Sequence, residues 1–248
     1  MMQMAGEMYL GAGALAYDDL TRADTGEIEE ILDALSLCPS GRVVDAACGS
    51  GRLTMPLAER SARQVTAIDV SKELLALLRE RLAREPFAES VEVVCGSILD
   101  LPMPDASVTA YVLGTSTVNL FDTGDRARLL AEAHRVLTPN GQLLISILDR
   151  HEHDTSVVGR GYSGGEYRIE NVLQPDDTVV SRVTSLAQRA TDNGAEATVY
   201  ESKLYSVAAD QLHAEISQAG FEITDKFTIN QQPLHLLIVA RNPGEFRD

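Results

Sequence analysis

The sequence predicts an α/β protein built on a doubly wound, mostly parallel sheet of seven strands, with an antiparallel insert after the fifth strand. Two observations predict this fold class. Short apolar segments alternate with amphipathic helical segments up to Leu148, which is the order found in a parallel sheet with crossover helices. The apolar segments are hydrophobic throughout, as strands are when helices cover both faces of a sheet.

The elements up to Leu148 follow in order. The first is a helix over Gly26–Leu37, because its apolar residues share one face and Pro39 ends it. Five strands and three further helices come after it. The strands are predicted at Arg42–Ala46, Gln64–Ile68, Val91–Cys95, Val108–Gly114 and Gln142–Leu148, and the helices at Arg52–Arg60, Ser71–Arg84 and Asp125–Leu137.

The pattern changes after Leu148. A polar, glycine-rich stretch precedes three segments of alternating hydrophobicity, and the turn sequences between them predict an antiparallel insert. A helix and a pair of strands then complete the large sheet. The insert segments are Glu166–Leu173, Thr178–Arg189 and Glu196–Val207, the helix is Ala208–Ala219, and the strand pair is Phe221–Ile229 and His235–Ala240.

The composition narrows the class of partner. The 248 residues include 21 basic and 37 acidic side chains, which gives a net charge of −16. Such a chain repels phosphate backbones, which argues against nucleic acid. The acidity is typical of a protein that its charge keeps in solution, and the alternative interpretation is that its field attracts a cationic or amine substrate. The three cysteines have no metal-type spacing, and no secretory signal or apolar run near the roughly 20 residues of a membrane span is found. We therefore expect a cytoplasmic protein that binds neither a metal nor a membrane.

A glycine-containing turn between the first strand and its helix is the strongest local signal. It reads AACGSG directly after Asp45. Glycines there let a ligand approach the backbone at the carboxyl ends of the strands. Dinucleotides and S-adenosyl-L-methionine (SAM) are the two competing ligands, and Thr54 disfavours a dinucleotide because a small residue is needed at that position. Asp69 ends the second strand, 18 residues after Gly51, and can accept hydrogen bonds from both ribose hydroxyls.

Four segments, in order, resemble the motifs of class I SAM-dependent methyltransferases. VVDAACGSG resembles D-x-G-x-G-x-G, with Ala47 in place of the first glycine, and VTAIDVS carries the acid for the ribose. VCGSILDLP resembles G-D-x-x-x-L-P-F, with Ser97 where an acid often contacts the adenine amine. RVLTPNGQLLIS resembles R-x-L-x-P-G-G-x-L, a structural motif.

The resemblance implies an enzyme with a Rossmann-like methyltransferase sheet that uses SAM and releases S-adenosyl-L-homocysteine (SAH). It implies four parts of the chain: an N-terminal lid at 1–25, a SAM-binding core at 26–148, an antiparallel substrate or dimer insert at 149–207, and a C-terminal completion of the core sheet at 208–248. The cofactor residues it implies are Tyr17, Ala47, Gly49, Gly51, Asp69, Val70, Ser97, Ile98, Leu113, Gly114 and Thr115.

The acceptor pocket is expected between the lid, the loop after the fourth strand and the insert. Its candidate residues are Tyr9, Ser116 and Asn119. His151 and His153 are candidate catalytic bases, because an ammonium acceptor must lose a proton before methyl transfer. The alternative interpretation of that stretch is an exposed polar loop, and a metal site there is disfavoured.

Three longer segments resemble daptide-type methyltransferases of ribosomal peptide (RiPP) biosynthesis: CGSGRLTMPLA, VTAIDVSKELLALLRERL and VLGTSTVNLFDTGDRARLLAEAHRVLTPNG. That narrower resemblance implies N-methylation, in one or two steps, of an amine at a modified peptide terminus. The insert is also a candidate homodimer interface. Three alternatives stay open: an N- or O-methyltransferase of another natural product such as an amino sugar, a SAM- or SAH-binding protein without turnover, and the disfavoured nicotinamide dehydrogenase.

Overall fold

The computed structural model describes residues 3–149, 154–186, 198–231 and 234–244. Within these ranges, twelve strands form two sheets, and six α-helices lie between and beside the strands.

The larger sheet has seven strands in the described residues. They are β2 (Val43–Ala46), β3 (Val65–Asp69), β4 (Val91–Cys95), β5 (Val108–Leu113), β6 (Leu137–Leu148), β11 (Glu222–Gln231) and β12 (Leu234–Arg241). Their order is β11-β12-β6-β5-β2-β3-β4. The five neighbouring strands β4, β3, β2, β5 and β6 pair in parallel. β12 runs antiparallel to both β6 and β11. The prediction of a mostly parallel, seven-stranded sheet is confirmed.

Helices cover both faces of this sheet. They are α2 (Ile28–Ser36), α3 (Thr54–Ser61), α4 (Lys72–Leu82), α5 (Thr123–Val136) and α6 (Ala209–Gln218). Leu129 and Leu212 pack α5 and α6 against one face, and Ile31 and Leu57 pack α2 and α3 against the other. Each of these side chains is fully buried, and such burial stabilises a fold by about 1.5–3 kcal/mol per residue. The sheet is therefore a rigid base for the loops at the carboxyl ends of its strands.

A second sheet contains five strands in the described residues. They are β1 (Gln3–Glu7), β7 (Thr155–Arg160), β8 (Glu166–Leu173), β9 (Thr178–Leu186) and β10 (Thr198–Tyr205). Their order is β1-β10-β9-β8-β7, and every pair is antiparallel except β1 with β10. The antiparallel insert after the fifth strand of the large sheet is confirmed.

The N-terminal segment contains two elements that the sequence pattern did not predict, β1 and the helix α1 (Gly11–Thr21). β1 has no apolar alternation and gains its extended form by pairing with β10 at Thr198. β7 likewise forms in a stretch expected to be irregular, because β8 pairs with it. The division into lid, core, insert and completion remains a prediction, and β1 pairs across two of those parts.

One predicted helix begins later than expected, and one predicted turn is wrong. The helix expected over Arg52–Arg60 begins at Thr54, because the preceding residues continue the glycine turn. The turn expected over Thr138–Gly141 instead forms part of the strand β6, in which Asn140 takes the left-handed conformation at φ 64°.

Candidate functional site

The turn from β2 to α3 bends sharply at three residues with positive φ. Gly49 has φ 55° and Gly51 has φ 92°, and a Cβ on Gly51 would lie 2.4 Å from Cδ1 of Leu78. Ala47 has φ 54°, so an alanine side chain is held in the left-handed region. This conformation costs a non-glycine residue roughly 1–2 kcal/mol, which marks Ala47 as a strained position at the site.

Asp69 lies beside this turn, because β3 pairs with β2 in parallel and both strands end at the same edge. Its carboxylate accepts the Gly49 N–H at 2.9 Å and the Ser71 N–H at 2.8 Å, one on each oxygen. Burial raises the pKa of Asp69. Each oxygen keeps acceptor capacity, so the carboxylate can still accept hydrogen bonds from the two hydroxyls of a ribose.

Asp45 is a second buried carboxylate under the turn. It accepts the Thr54 hydroxyl at 2.5 Å, which gives Thr54 a structural task at the start of α3. Burial raises the pKa of Asp45 to about 7, against the hydrogen bond from Thr54 and the field of Arg52, which act to lower it.

A cavity of about 410 Å³ opens beside the glycine turn and brings most of the predicted site residues together. Gly114 lines a smaller cavity of about 20 Å³ that shares Tyr17, Ala47 and Thr115 with the large one. Gly51 and Leu113 line neither, and His151 and His153 lie outside the described residues. The predicted residues that line the large cavity are Tyr9, Tyr17, Ala47, Gly49, Asp69, Val70, Ser97, Ile98, Thr115, Ser116 and Asn119.

The far end of the large cavity is walled by residues that the sequence analysis did not single out. Two paired strands of the second sheet contribute Ser181 from β9 and Ser202 and Leu204 from β10. Phe121 and Leu148 close the wall from the large sheet's side. Among the described lining residues, Asp69 beside the glycine turn is the one ionisable carboxylate, and none is a lysine, arginine or histidine. Alternation in β9 and β10 indicated a one-sided sheet but not which ligand it would face.

Asn119 is a structural clamp in this wall. Its Nδ2 donates to the carbonyl oxygens of Leu148 at 3.0 Å and Tyr205 at 3.1 Å, and its Oδ1 accepts the Leu148 N–H at 3.1 Å. The carboxamide therefore joins β6 to β10, and both of its donor hydrogens have partners. Its predicted role in binding the acceptor stays a prediction.

Two tyrosines from the N-terminal segment cover the cavity. The rings of Tyr9 and Tyr17 meet edge to face with centroids 5.1 Å apart, and Tyr17 lies over Gly49. Burial raises the pKa of both phenols, and the Tyr9 hydroxyl is hydrogen-bonded to the Ser202 side chain. The cover therefore touches the glycine turn on one side and the second sheet on the other.

A buried charged cluster behind the turn was also missed. Glu27, at the start of α2, is 1% exposed and pairs with Arg52, which directly follows the glycine turn. The Thr115 N–H donates to the same Glu27 oxygen at 2.6 Å, and Arg52 donates to the Thr115 hydroxyl at 2.7 Å. Arg52 lies 25 positions from Glu27 in the sequence, and Thr115 lies 88 positions from it, so no local sequence pattern could reveal the cluster.

Part of the large sheet is similar in sequence to a known protein family. Residues 43–141, from β2 into β6, match the family described as "Methyltransferase domain". These residues are therefore similar to a methyltransferase domain. The chain is 32% identical over 108 residues to a demethylmenaquinone methyltransferase from Symbiobacterium thermophilum, a match that covers 43% of this chain and 42% of that protein. The chain spans between 40% and 66% of the length of the first curated relatives it matches.

Two solved methyltransferase structures are similar to this chain over most of its length. The CcbJ methyltransferase from Streptomyces caelestis aligns with a TM-score of 0.76 at 17% identity, over 88% of this chain and 96% of that one. The glycopeptide N-methyltransferase MtfA, complexed with SAM, aligns with a TM-score of 0.62 at 22% identity, over 96% and 93%. At these identities the two structures show a shared fold.

No group of three or more His, Cys, Asp and Glu side chains in the described residues is arranged to hold a metal ion. None of the helices in those residues has both the length and the apolarity to cross a membrane.

Proposed function

We propose that this protein is a SAM-dependent methyltransferase that N-methylates an amine of a peptide natural product, in one or two steps. The observation that carries the proposal is the single cavity that runs from the glycine turn and Asp69 to an apolar chamber under the second sheet. SAM supplies an activated methyl group when it is bound. The residues of the chain hold the donor, orient the acceptor and exclude water.

The donor end fits a sulfonium nucleoside better than a dinucleotide. Asp69 is placed for a ribose diol, and Gly49 leaves the backbone open to a close ligand. The Asp69 carboxylate lines the large cavity, whose described lining contains no basic side chain, which favours a sulfonium and an ammonium over a pyrophosphate.

The acceptor end fits a neutral amine. Its described wall is built from hydroxyl and apolar side chains such as Ser202 and Leu204, without a charged group. Burial in such a wall lowers the pKa of an amine, which frees the lone pair that attacks the methyl carbon. Outside the cavity, the net charge of −16 attracts the protonated, cationic form of the amine and so raises its local concentration near the protein.

The border between the two ends is set by two consecutive residues with positive φ, Thr115 at 56° and Ser116 at 53°. The Ser116 N–H donates to the Ser146 hydroxyl at 2.9 Å, which fixes the loop to β6. Methyl transfer is an in-line displacement, so a rigid border that aligns acceptor and donor supplies most of what the protein must contribute.

The peptide acceptor is supported by the narrower sequence resemblance and by a fold shared with a glycopeptide N-methyltransferase. His151 and His153 stay candidate bases. They follow Leu148, which lines the chamber, by three and five positions. Of the variants His151→Ala and His153→Ala, we expect at most one to lower turnover. If neither lowers it, this stretch does not supply the catalytic base.

The test is mass spectrometry of candidate acceptors incubated with the protein and SAM. We expect gains of one or two methyl groups on peptides with a free terminal amine. Methylation of a phenol or an amino sugar instead would favour the small-molecule alternative, and SAH binding without any methylation would favour a binding protein.

A matched pair of variants separates the acceptor end from the donor end. Leu204→Trp fills the chamber and is expected to abolish methylation while SAH affinity stays within about twofold. Lys203→Trp places the same ring on the exposed, opposite face of β10 and is expected to keep activity. Full activity of Leu204→Trp would show that the chamber does not hold the acceptor.

A further inference from the structure

The second sheet carries a row of three polar side chains that starts in the wall of the large cavity. Ser202 of β10 lies directly opposite Ser181 of β9, and Ser181 lies directly opposite Asn171 of β8. Directly opposite residues of neighbouring strands point to the same face of a sheet, so Asn171 shares the face on which the two serines line the cavity. The row therefore crosses three strands, from the cavity toward β7.

Apolar and aromatic side chains border this row on both sides. Because side chains alternate along a strand, the residues two positions away on each strand lie on the same face as the row. They are Ile169, Val183 and Tyr200 on one side, and Leu173, Val179 and Leu204 on the other. Packing alone gains nothing from hydrogen-bonding groups between two such rows, so their presence indicates a polar ligand.

The carboxamide of Asn171 has an unused acceptor. Its Oδ1 is buried and makes no hydrogen bond to the described residues. A buried polar atom without a partner destabilises the folded state, so such atoms are uncommon in native proteins. The outer torsion of an asparagine is broad, and the carboxamide can therefore turn at little cost toward a donor that arrives beside it. A ligand that donates a hydrogen bond here would satisfy the oxygen.

The chemistry of the row fits neutral amide groups. A serine hydroxyl and a carboxamide can each donate and accept a hydrogen bond, and a peptide backbone offers both an N–H and a C=O. A carboxylate fits poorly, because the described lining of the cavity has no basic side chain and Asp69 repels a second negative charge. The bordering apolar rows leave places for the side chains of a peptide.

The length of the row sets the length of the peptide that it can hold. Neighbouring strands lie roughly 4.8 Å apart, so Ser202 and Asn171 are separated by about 9.6 Å across the sheet. An extended chain advances about 3.3 Å per residue, so this separation corresponds to about three residues. The Ser202 end of the row is fixed by its hydrogen bond to Tyr9, which covers the cavity.

We propose that Ser181 and Ser202 bind the amide next to the acceptor amine, and that Asn171 binds an amide further along the same acceptor. The acceptor is then a peptide of about three residues or more with a terminal amine, rather than a single amino acid. This inference rests on the proposed function and names the part of the acceptor that the second sheet recognises.

The test measures methylation kinetics on alanine, dialanine, trialanine and tetraalanine, each with a free amino terminus and a carboxy-terminal amide. We expect KM to fall about three- to tenfold from one residue to three, the value of one hydrogen bond, and to stay level at four. Asn171→Leu should lose the gain from the third residue and keep the KM for alanine amide. It should also keep SAH affinity and be at least as stable in urea, because it removes an unpartnered oxygen.

Ser181→Ala tests the end of the row inside the cavity. We expect it to raise KM for alanine amide about three- to tenfold and to leave KM unchanged for isopropylamine, which has the amine without the amide. Ser156→Ala is the matched control. Ser156 is exposed on β7 and pairs with Glu170, so it lies on the opposite face from Asn171, and its variant should behave like wild type.

Three results would overturn this inference while the proposed function stands. They are a wild-type KM that does not depend on peptide length, an Asn171→Leu variant that uses trialanine amide as well as wild type does, and a preference for free alanine over alanine amide. Wild-type protein that binds SAH but methylates none of the peptides would overturn the proposed function and this inference with it.

Discussion

The Tyr167 hydroxyl donates a 2.8 Å hydrogen bond to Asp19, which joins the second sheet to the helix that carries Tyr17. Ser163 donates to the same carboxylate through its N–H at 2.6 Å. The neighbouring Asp18 accepts the hydroxyl of Ser50, in the glycine turn, at 2.5 Å. Two consecutive aspartates on α1 therefore connect the second sheet to the glycine turn.

Tyr167→Phe removes the phenol from this connection. We expect the free energy of unfolding in urea to fall by about 1.5 kcal/mol, the lower value for a hydrogen bond to a charged group, since Ser163 still satisfies Asp19. SAH dissociation should also become faster, because α1 holds Tyr17 over the turn less firmly. Tyr162→Phe is the control: that ring is exposed, and phenylalanine keeps the face on which Arg22 stacks at 4.2 Å. Equal stability of Tyr167→Phe and wild type would show that the connection contributes nothing.

Asp69→Asn tests the ribose contact. An amide keeps the size of the carboxylate but loses its charge and one acceptor oxygen, so we expect SAH to bind at least tenfold more weakly, about 1.4 kcal/mol. Calorimetry measures the change, with the exposed Asp100→Asn as the control for net charge. Unchanged affinity in Asp69→Asn would remove Asp69 from the donor site.

Ala47→Gly tests backbone strain. Glycine tolerates φ 54° without the Cβ clash that alanine meets, so we expect the free energy of unfolding to rise by about 0.5–1 kcal/mol despite the larger entropy of the unfolded chain. The same exchange at the preceding Ala46, a buried strand residue, should lower stability instead. Changes of the same sign at both positions would show that strain at Ala47 is not the cause.

Asp45→Asn tests the buried acid through pH. The pKa of Asp45 is raised from 3.8 to about 7 in the folded protein. The folded state thus keeps a proton that the unfolded chain releases, and the stability this group contributes is complete below about pH 4 and is lost as the pH rises toward 7.

Relative to Asp45→Asn, ligand-free wild type should therefore lose up to about 1.4 kcal/mol of unfolding free energy per pH unit across this window. Urea unfolding of both proteins at several pH values measures the difference. A difference that stays constant from pH 4 to pH 8 would contradict a raised pKa.

The sequence predicted the large sheet well because its strands are apolar and its turns carry glycine. Asp69 was placed correctly at a strand end beside the turn, since parallel neighbours end at the same edge. Ser181, Ser202 and the Glu27–Arg52 pair were not foreseen. The position of these residues at the cavities depends on how the second sheet packs against the large one and on which distant segments of the chain meet. The local hydrophobic periodicity of the sequence contains neither piece of information. β1 was missed for the same reason, because a segment without apolar alternation forms a strand by pairing with β10.

Ser181, Ser202 and Leu204 line the cavity from the face of paired strands, whereas the opposite end is built from loop backbone and the Asp69 carboxylate. Exchanging any of these three side chains reshapes the room for the acceptor and leaves the main-chain ladder beneath intact. Relatives can thus diverge in what they modify through single substitutions on one sheet, while the machinery for the methyl donor is inherited unchanged.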